Sequence, residues 1–216
     1  MLPGSGFSRM AAAAAMVAIP LIVPAQAQET PGVTATEIRI GNTMPYSGMA
    51  SDYAIIGKAE AAYFNMINDL GGIAGRKITF ISLDDGLSPP RTVEQTRKLV
   101  EQEEVAFMGG ALGTPTNSAV QKYLNDRKVP QLFIWSGADK WGNYQQYPWT
   151  IAWQPSYRVE AQIYAKYILA HKADAKIGVL YRNDDFGKDY LAGLKDVLGD
   201  KFDSMVVKAV SHEATD

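Results

Sequence analysis

The segment Gly113-Thr114-Pro115-Thr116-Asn117-Ser118 collects hydroxyls, an amide and backbone N–H groups where a predicted strand gives way to a predicted helix. First-turn N–H groups have no partner within a helix, and the helix dipole is positive there. Such a segment can hold a carboxylate or another anion without a formal positive charge. The same pattern also suits a plain N-cap, and spacing alone leaves both readings open. Trp135-Ser136-Gly137-Ala138 ends the next predicted strand, and its small residues let the backbone approach a ligand with its own N–H and C=O groups. Tyr46, Tyr53, Trp135, Trp141 and Phe186 fall at or near strand-end loops, where rings either wall a ligand or pack.

Catalytic signatures are missing from this inventory. The chain has no G-x-S-x-G elbow, H-E-x-x-H, P-loop or G-x-G-x-x-G. The glycine-rich run at 109–114 lacks the lysine that a phosphate loop needs. Asp84-Asp85 and Asp184-Asp185 are carboxylate pairs, but neighbours at a strand end point in opposite directions. They read as turn and helix-cap aspartates. Cysteine is absent, which excludes disulfides, thiolate metal sites and cysteine nucleophiles, and His171 and His212 have no ligand-spaced partners. A net charge of −2 gives no footprint for nucleic acid.

The elements that must position these residues alternate. Apolar runs predict strands at 37–43, 77–83, 105–108, 131–135, 149–153, 176–181 and 204–209. Helical periodicity predicts helices at 51–70, 89–103, 116–127, 156–171 and 187–198. Gly71-Gly72 supplies a stop for the first helix, and Pro89-Pro90 stands where the second starts. Strand–helix alternation implies an α/β fold, a mostly parallel sheet with helices on both faces, with ligands beyond the carboxyl ends of the strands. The pattern pauses over 136–149, which suggests a first lobe at 28–148 and a second beginning at 149–216. Such a second lobe is short for a domain, so the chain reads as a fragment of a longer protein.

At the N-terminus, Arg9 precedes a soft apolar run that ends in Ala25-Gln26-Ala27. The run is shorter than the ~20 residues a membrane span needs and contains Pro20 and Pro24, so it reads as a cleavable signal peptide over 1–27.

Several motifs together resemble one family. They are Ser47-Gly48, the helix containing Gly57, Ile67-Asn68, the run Gly71-Gly72-Ile73-Ala74-Gly75-Arg76, and Asp84-Asp85 followed by Pro89. Val129-Pro130 and Asn183-Asp184-Asp185-Phe186-Gly187-Lys188-Asp189-Tyr190 extend the likeness, which runs from about 37 to 209. The sequence is similar to the leucine/isoleucine/valine-binding-protein family, the type I periplasmic solute-binding proteins of ABC importers.

The resemblance implies a two-lobed fold, each lobe a mostly parallel sheet flanked by helices, closing on a solute. It implies Tyr53 in the first-lobe wall, Thr114 as the hydroxyl that binds a ligand carboxylate, and Ser136 and Ala138 offering backbone groups. Phe186 stands where amino-acid binders often carry tyrosine, so a hydroxyl is lost there. Trp135 joins the expected ligand contacts from its place at the strand-end loop, not from the resemblance. The family's acidic partner for an α-ammonium corresponds to a position beyond Asp216. The implied function is periplasmic capture of a small carboxylate-bearing solute, a branched-chain amino acid or an aromatic acid. The alternative is a solute-sensing ectodomain. The expectation includes no catalysis, no cofactor or metal, no nucleic acid, a monomer, and ABC permease subunits in the inner membrane as partners.

Overall fold

Strand β1 (Glu37–Met44) ends in a polar-apolar run that is wholly buried, with Asn42 at 0%, Thr43 at 1% and Met44 at 0% exposure. A strand covered on both faces belongs inside a parallel sheet. In the computed structural model, which describes residues 30–212, β1 lies between β2 (Lys77–Asp84) and β3 (Phe107–Gly109). β4 (Gln131–Ile134) and β5 (Thr150–Ala152) extend the sheet in the order β2-β1-β3-β4-β5, every pair parallel. The signal peptide expected over 1–27 lies outside the described residues.

The path moves from β1 outward to β2, then back across β1 to β3 and on to β4. Right-handed crossovers in opposite directions put their helices on opposite faces. Helix α1 (Ala54–Asp69), entered through a 3-10 turn at Ser51–Tyr53, packs on β2 and β1. Helices α2 (Pro89–Glu101) and α3 (Thr114–Asp126) pack on each other, α2 also on β1 and α3 on β4. Leu99, Val105, Met108, Val120 and Leu124 form the core between them. The order of winding reverses between β1 and β3, a switch point beyond whose strand carboxyl ends sheets of this type bind ligands.

Local signals act as expected at two helix ends. Gly71 and Gly72 adopt φ of 107° and 76° after α1, and Gly72 N–H bonds to Ile67 O at 2.9 Å, closing a Schellman-type cap. Pro89 and Pro90 occupy the first turn of α2, where missing N–H groups lose nothing.

The remaining elements build a second unit. Helix α4 (Tyr157–His171) packs tightly on α5 (Asp185–Leu198), and β6 (Ile177–Arg182) pairs in parallel with β7 (Val206–His212). The helix contact is made close by Ala161, Ala165 and Gly193, because a Cβ on Gly193 would stand 2.2 Å from Arg158 O. Leu194, Leu198 and Met205 complete this core.

Several boundaries differ from the sequence reading. The strand assigned to the head of the second lobe is β5, which pairs with β4 in the first sheet through Gln131 and Thr150. The passage out of that sheet therefore follows Ala152, not residue 148. Helix α3 begins at Thr114, not at 116, because the fixed φ of Pro115 fits a first turn. Residues 202–205 form a helical turn, α6 (Phe202–Met205), and the last strand runs on to His212.

Candidate functional site

The loop from β3 into α3 uses most of its polar side chains on itself. Thr116 Oγ1 donates to Leu112 O at 2.6 Å, Asn117 Nδ2 to Ala111 O at 3.1 Å and Gly113 O at 2.8 Å, and Ser118 Oγ to Thr114 O at 2.7 Å. Gly113, at φ 101°, makes the turn possible and supplies no side-chain cap. Thr114 differs. Its hydroxyl lies 2.6 Å from Ser136 Oγ, in the loop after β4.

The direction of that bond follows from valence. Ser136 Oγ accepts from Trp141 Nε1 at 3.0 Å and from Ala138 N at 3.3 Å. A hydroxyl has two lone pairs and one proton. With both lone pairs engaged, Ser136 O–H is left to donate to Thr114. The Thr114 proton is then uncommitted among the described residues. Thr114, Ser136 and Ala138 are 4%, 0% and 2% exposed, so this cluster is held rigidly just beneath the first-lobe surface. Trp141 reaches it because the 3-10 turn at Asp139–Gly142 folds back over β4, burying Ile134, Ala138 and Trp141 together.

The second unit is fastened to the same loop. Tyr157 N, at the start of α4, bonds to Gly137 O at 2.7 Å. Gly137 permits this approach, since a Cβ there would stand 2.7 Å from Pro155 O. Phe186, in the first turn of α5, packs edge-on against the Tyr157 ring at 4.7 Å. Phe186 thus joins the Thr114–Ser136–Ala138 cluster through Tyr157 and Gly137.

Beside this apolar link lies a charged one. Lys140 Nζ bonds Ser118 Oγ at 2.9 Å and Asp185 Oδ2 at 3.1 Å, tying the start of α3 to the start of α5. Asp139 N donates to Asp189 Oδ2 at 2.8 Å. Burial raises the Asp189 pKa, an effect that this hydrogen bond opposes and the neighbouring Asp139 and Asp185 charges reinforce. A cavity of about 490 Å³ opens here, lined by Gln121, Asp139, Lys140, Tyr147, Asp185 and Asp189 among others.

The other expected contacts lie elsewhere. Tyr53 is 56% exposed at the end of the 3-10 turn, and no hydrogen bond or ring contact among the described residues joins it to Thr114 or Ser136. Tyr46 OH is bonded to Ser82 Oγ at 2.6 Å, a structural tie. Trp135 does not join the hydroxyl cluster. Its Nε1 donates to Glu60 Oε1 at 3.2 Å, and its ring stands edge-on to Trp153 at 4.7 Å.

Asp84, Asp85 and Asp184 take the turn and cap positions expected of them, whereas Asp185 pairs with Lys140. Asp84 accepts from Ser47 N and Oγ and from Arg91 Nη2, and these bonds outweigh its burial to bring it down to about 2. Asp85 accepts from Leu87 N and Thr92 Oγ1. Asp184 caps α5 by accepting from Gly187 N at 3.2 Å.

Sequence reasoning missed Glu60, Lys140 and Tyr157. Glu60 is an isolated acidic residue in the middle of α1, with no spacing to mark it. Burial pushes its carboxyl up to about 7, against the Trp135 hydrogen bond. Lys140 and Tyr157 could be singled out only by knowing which loops meet.

Known structures share this fold. A possible leucine/isoleucine/valine-binding protein from Rhodopirellula baltica SH 1 superposes with a TM-score of 0.73 at 22% identity, over 87% of this chain and 50% of that one. A substrate-binding periplasmic protein from Ralstonia solanacearum gives 0.74 at 23% identity, over 83% and 50%. An ABC-transporter solute-binding protein from R. palustris, solved in complex with benzoate, gives 0.70 at 21%, over 83% and 49%. The chain thus spans about half the length of these structures. No curated protein matches the sequence. Residues 37–216 match the periplasmic binding protein model, and the chain belongs to that family.

Proposed function

We propose that this chain is part of a periplasmic substrate-binding protein of an ABC importer, and that it captures a small carboxylate-bearing solute without chemical change. The supporting observation is the Thr114 hydroxyl, whose proton is freed by the way Ser136, Trp141 and Ala138 N share their hydrogen bonds. It stands in the first turn of α3, where unpaired N–H groups and the helix dipole favour an anion. Phe186 packs against Tyr157, whose backbone N–H bonds Gly137 O next to Ser136. That pair suits an aromatic or branched aliphatic body better than a polar one, in keeping with the loss of a hydroxyl at Phe186. The benzoate held by the R. palustris relative is a solute of this class. Export through a cleaved leader over 1–27 and delivery to inner-membrane permease subunits complete the reading.

Titration calorimetry of the full-length protein with leucine, isoleucine, valine and benzoate tests it. Saturable heat with at least one of these acids is the expected result. Absence of heat and of any thermal shift with all four refutes it.

A further inference from the structure

Glu60 sits in a chain of hydrogen bonds that none of the preceding functions uses. Tyr46 OH meets Ser82 Oγ at 2.6 Å, Ser82 Oγ donates to Asn42 Oδ1 at 2.6 Å, and Asn42 Nδ2 donates to Glu60 Oε2 at 3.3 Å. The other carboxylate oxygen accepts from Trp135 Nε1 at 3.2 Å. The site is shaped to admit this carboxyl: a Cβ on Gly110, which adopts φ 68°, would stand 2.1 Å from Glu60 Oε1. Trp135 in turn stands edge-on to Trp153 at 4.7 Å. Trp153 is the first residue after β5, on the segment that carries the chain from the first sheet to α4.

We propose that Glu60 is a positioning residue for this crossover: its carboxylate holds the Trp135 indole, Trp135 holds Trp153, and ionisation of Glu60 sets how firmly the pair is held. An ionised acceptor makes a stronger hydrogen bond than a neutral one. The groups facing Glu60 are uncharged: Asn42 from β1, Gly110 after β3 and Trp135 after β4. The titratable side chain on its hydrogen-bond chain is Tyr46, and Tyr63 lies one turn on along α1. With no charged partner among the described residues, burial raises this carboxyl to about 7, so its ionisation falls in the neutral range. The crossover is therefore tightened above that pH and loosened below it. Solute affinity follows the same titration wherever capture uses this crossover, a consequence that rests on the proposed function.

The test uses the full-length protein without solute, so its outcome is independent of the transport reading. Indole N–H signals of Trp135 and Trp153, assigned with Trp135→Phe and Trp153→Phe, are followed by NMR from pH 5 to 8.5. Both are expected to shift through one midpoint near 7. Glu60→Gln, which keeps an oxygen acceptor but cannot ionise, is expected to flatten both curves while leaving the fold intact. A Trp135 signal that does not titrate, or that titrates equally in Glu60→Gln, overturns the proposal. A Trp135 signal that titrates while Trp153 stays fixed overturns its crossover part. Failure to bind any solute refutes only the transport reading.

Discussion

Replacing Ser136 with alanine removes one buried oxygen that serves three neighbours. Trp141 Nε1 at 3.0 Å and Ala138 N at 3.3 Å lose their acceptor, and Thr114 Oγ1 at 2.6 Å loses its donor. Trp141 is 4% exposed and Ala138 2%, so water does not easily replace the lost partner. Each net hydrogen bond contributes roughly 0.5–1.5 kcal/mol, and an orphaned buried donor costs about 1–3 kcal/mol. Ser136→Ala is therefore expected to destabilise by about 2–4 kcal/mol.

Thr114→Val breaks the same bond from the other side. Ser136 keeps both N–H donors, and only its own proton is orphaned, so about 1 kcal/mol is expected. The double variant should fall short of the sum by roughly 1 kcal/mol, since one bond is counted twice. Urea unfolding followed by circular dichroism measures all three. A loss below about 0.5 kcal/mol for Ser136→Ala, or a larger loss for Thr114→Val than for Ser136→Ala, refutes the bond directions assigned here.

Two further outcomes follow. Thr114→Val should weaken whichever acid binds in calorimetry by about 1–3 kcal/mol, the effect of removing a donor from a desolvated carboxylate, and an unchanged affinity removes Thr114 from the site. Glu60 should make stability fall as pH rises. Its folded pKa lies above its ordinary value, so its contribution is full below 4.5 and is lost as pH climbs through about 7. The full rise corresponds to about 3 kcal/mol, reduced to about 1–2 kcal/mol for a carboxyl that still touches solvent. Glu60→Gln, compared with the parent by urea unfolding at pH 4.5 and 8, should gain that amount at the higher pH. A pH-independent difference would refute the assignment.

The carriers of local structure were readable one by one. Pro89-Pro90 and Gly71-Gly72 mark helix ends through backbone sterics, which act within a few residues and need no knowledge of the fold. Asp84 and Asp184 read as turn and cap residues for the same reason, and both bond to backbone N–H groups close by. The sequence places Thr150–Ala152 beyond the lobe passage, whereas β5 pairs with β4, because strand pairing is a long-range choice. The apolar run is the same whichever sheet it joins.

The site shows the same division. The hydroxyl-rich start of α3 and the small residues after β4 were visible as types and spacings. Which of those hydroxyls keeps a free proton was not, because Trp141 Nε1 must first fold back onto Ser136. The position of Trp135 at a strand tip is legible, but its indole bond to Glu60 is not, because three strands and two helices separate the two residues in the chain. Sequence alone fixed the α/β alternation, the helix ends and the polar strand tips, because propensity and periodicity are local. Tertiary structure alone decided the hydrogen-bond directions, the partner of each aromatic ring and the elevated carboxyl of Glu60. Those depend on desolvation and on groups brought together from distant parts of the chain.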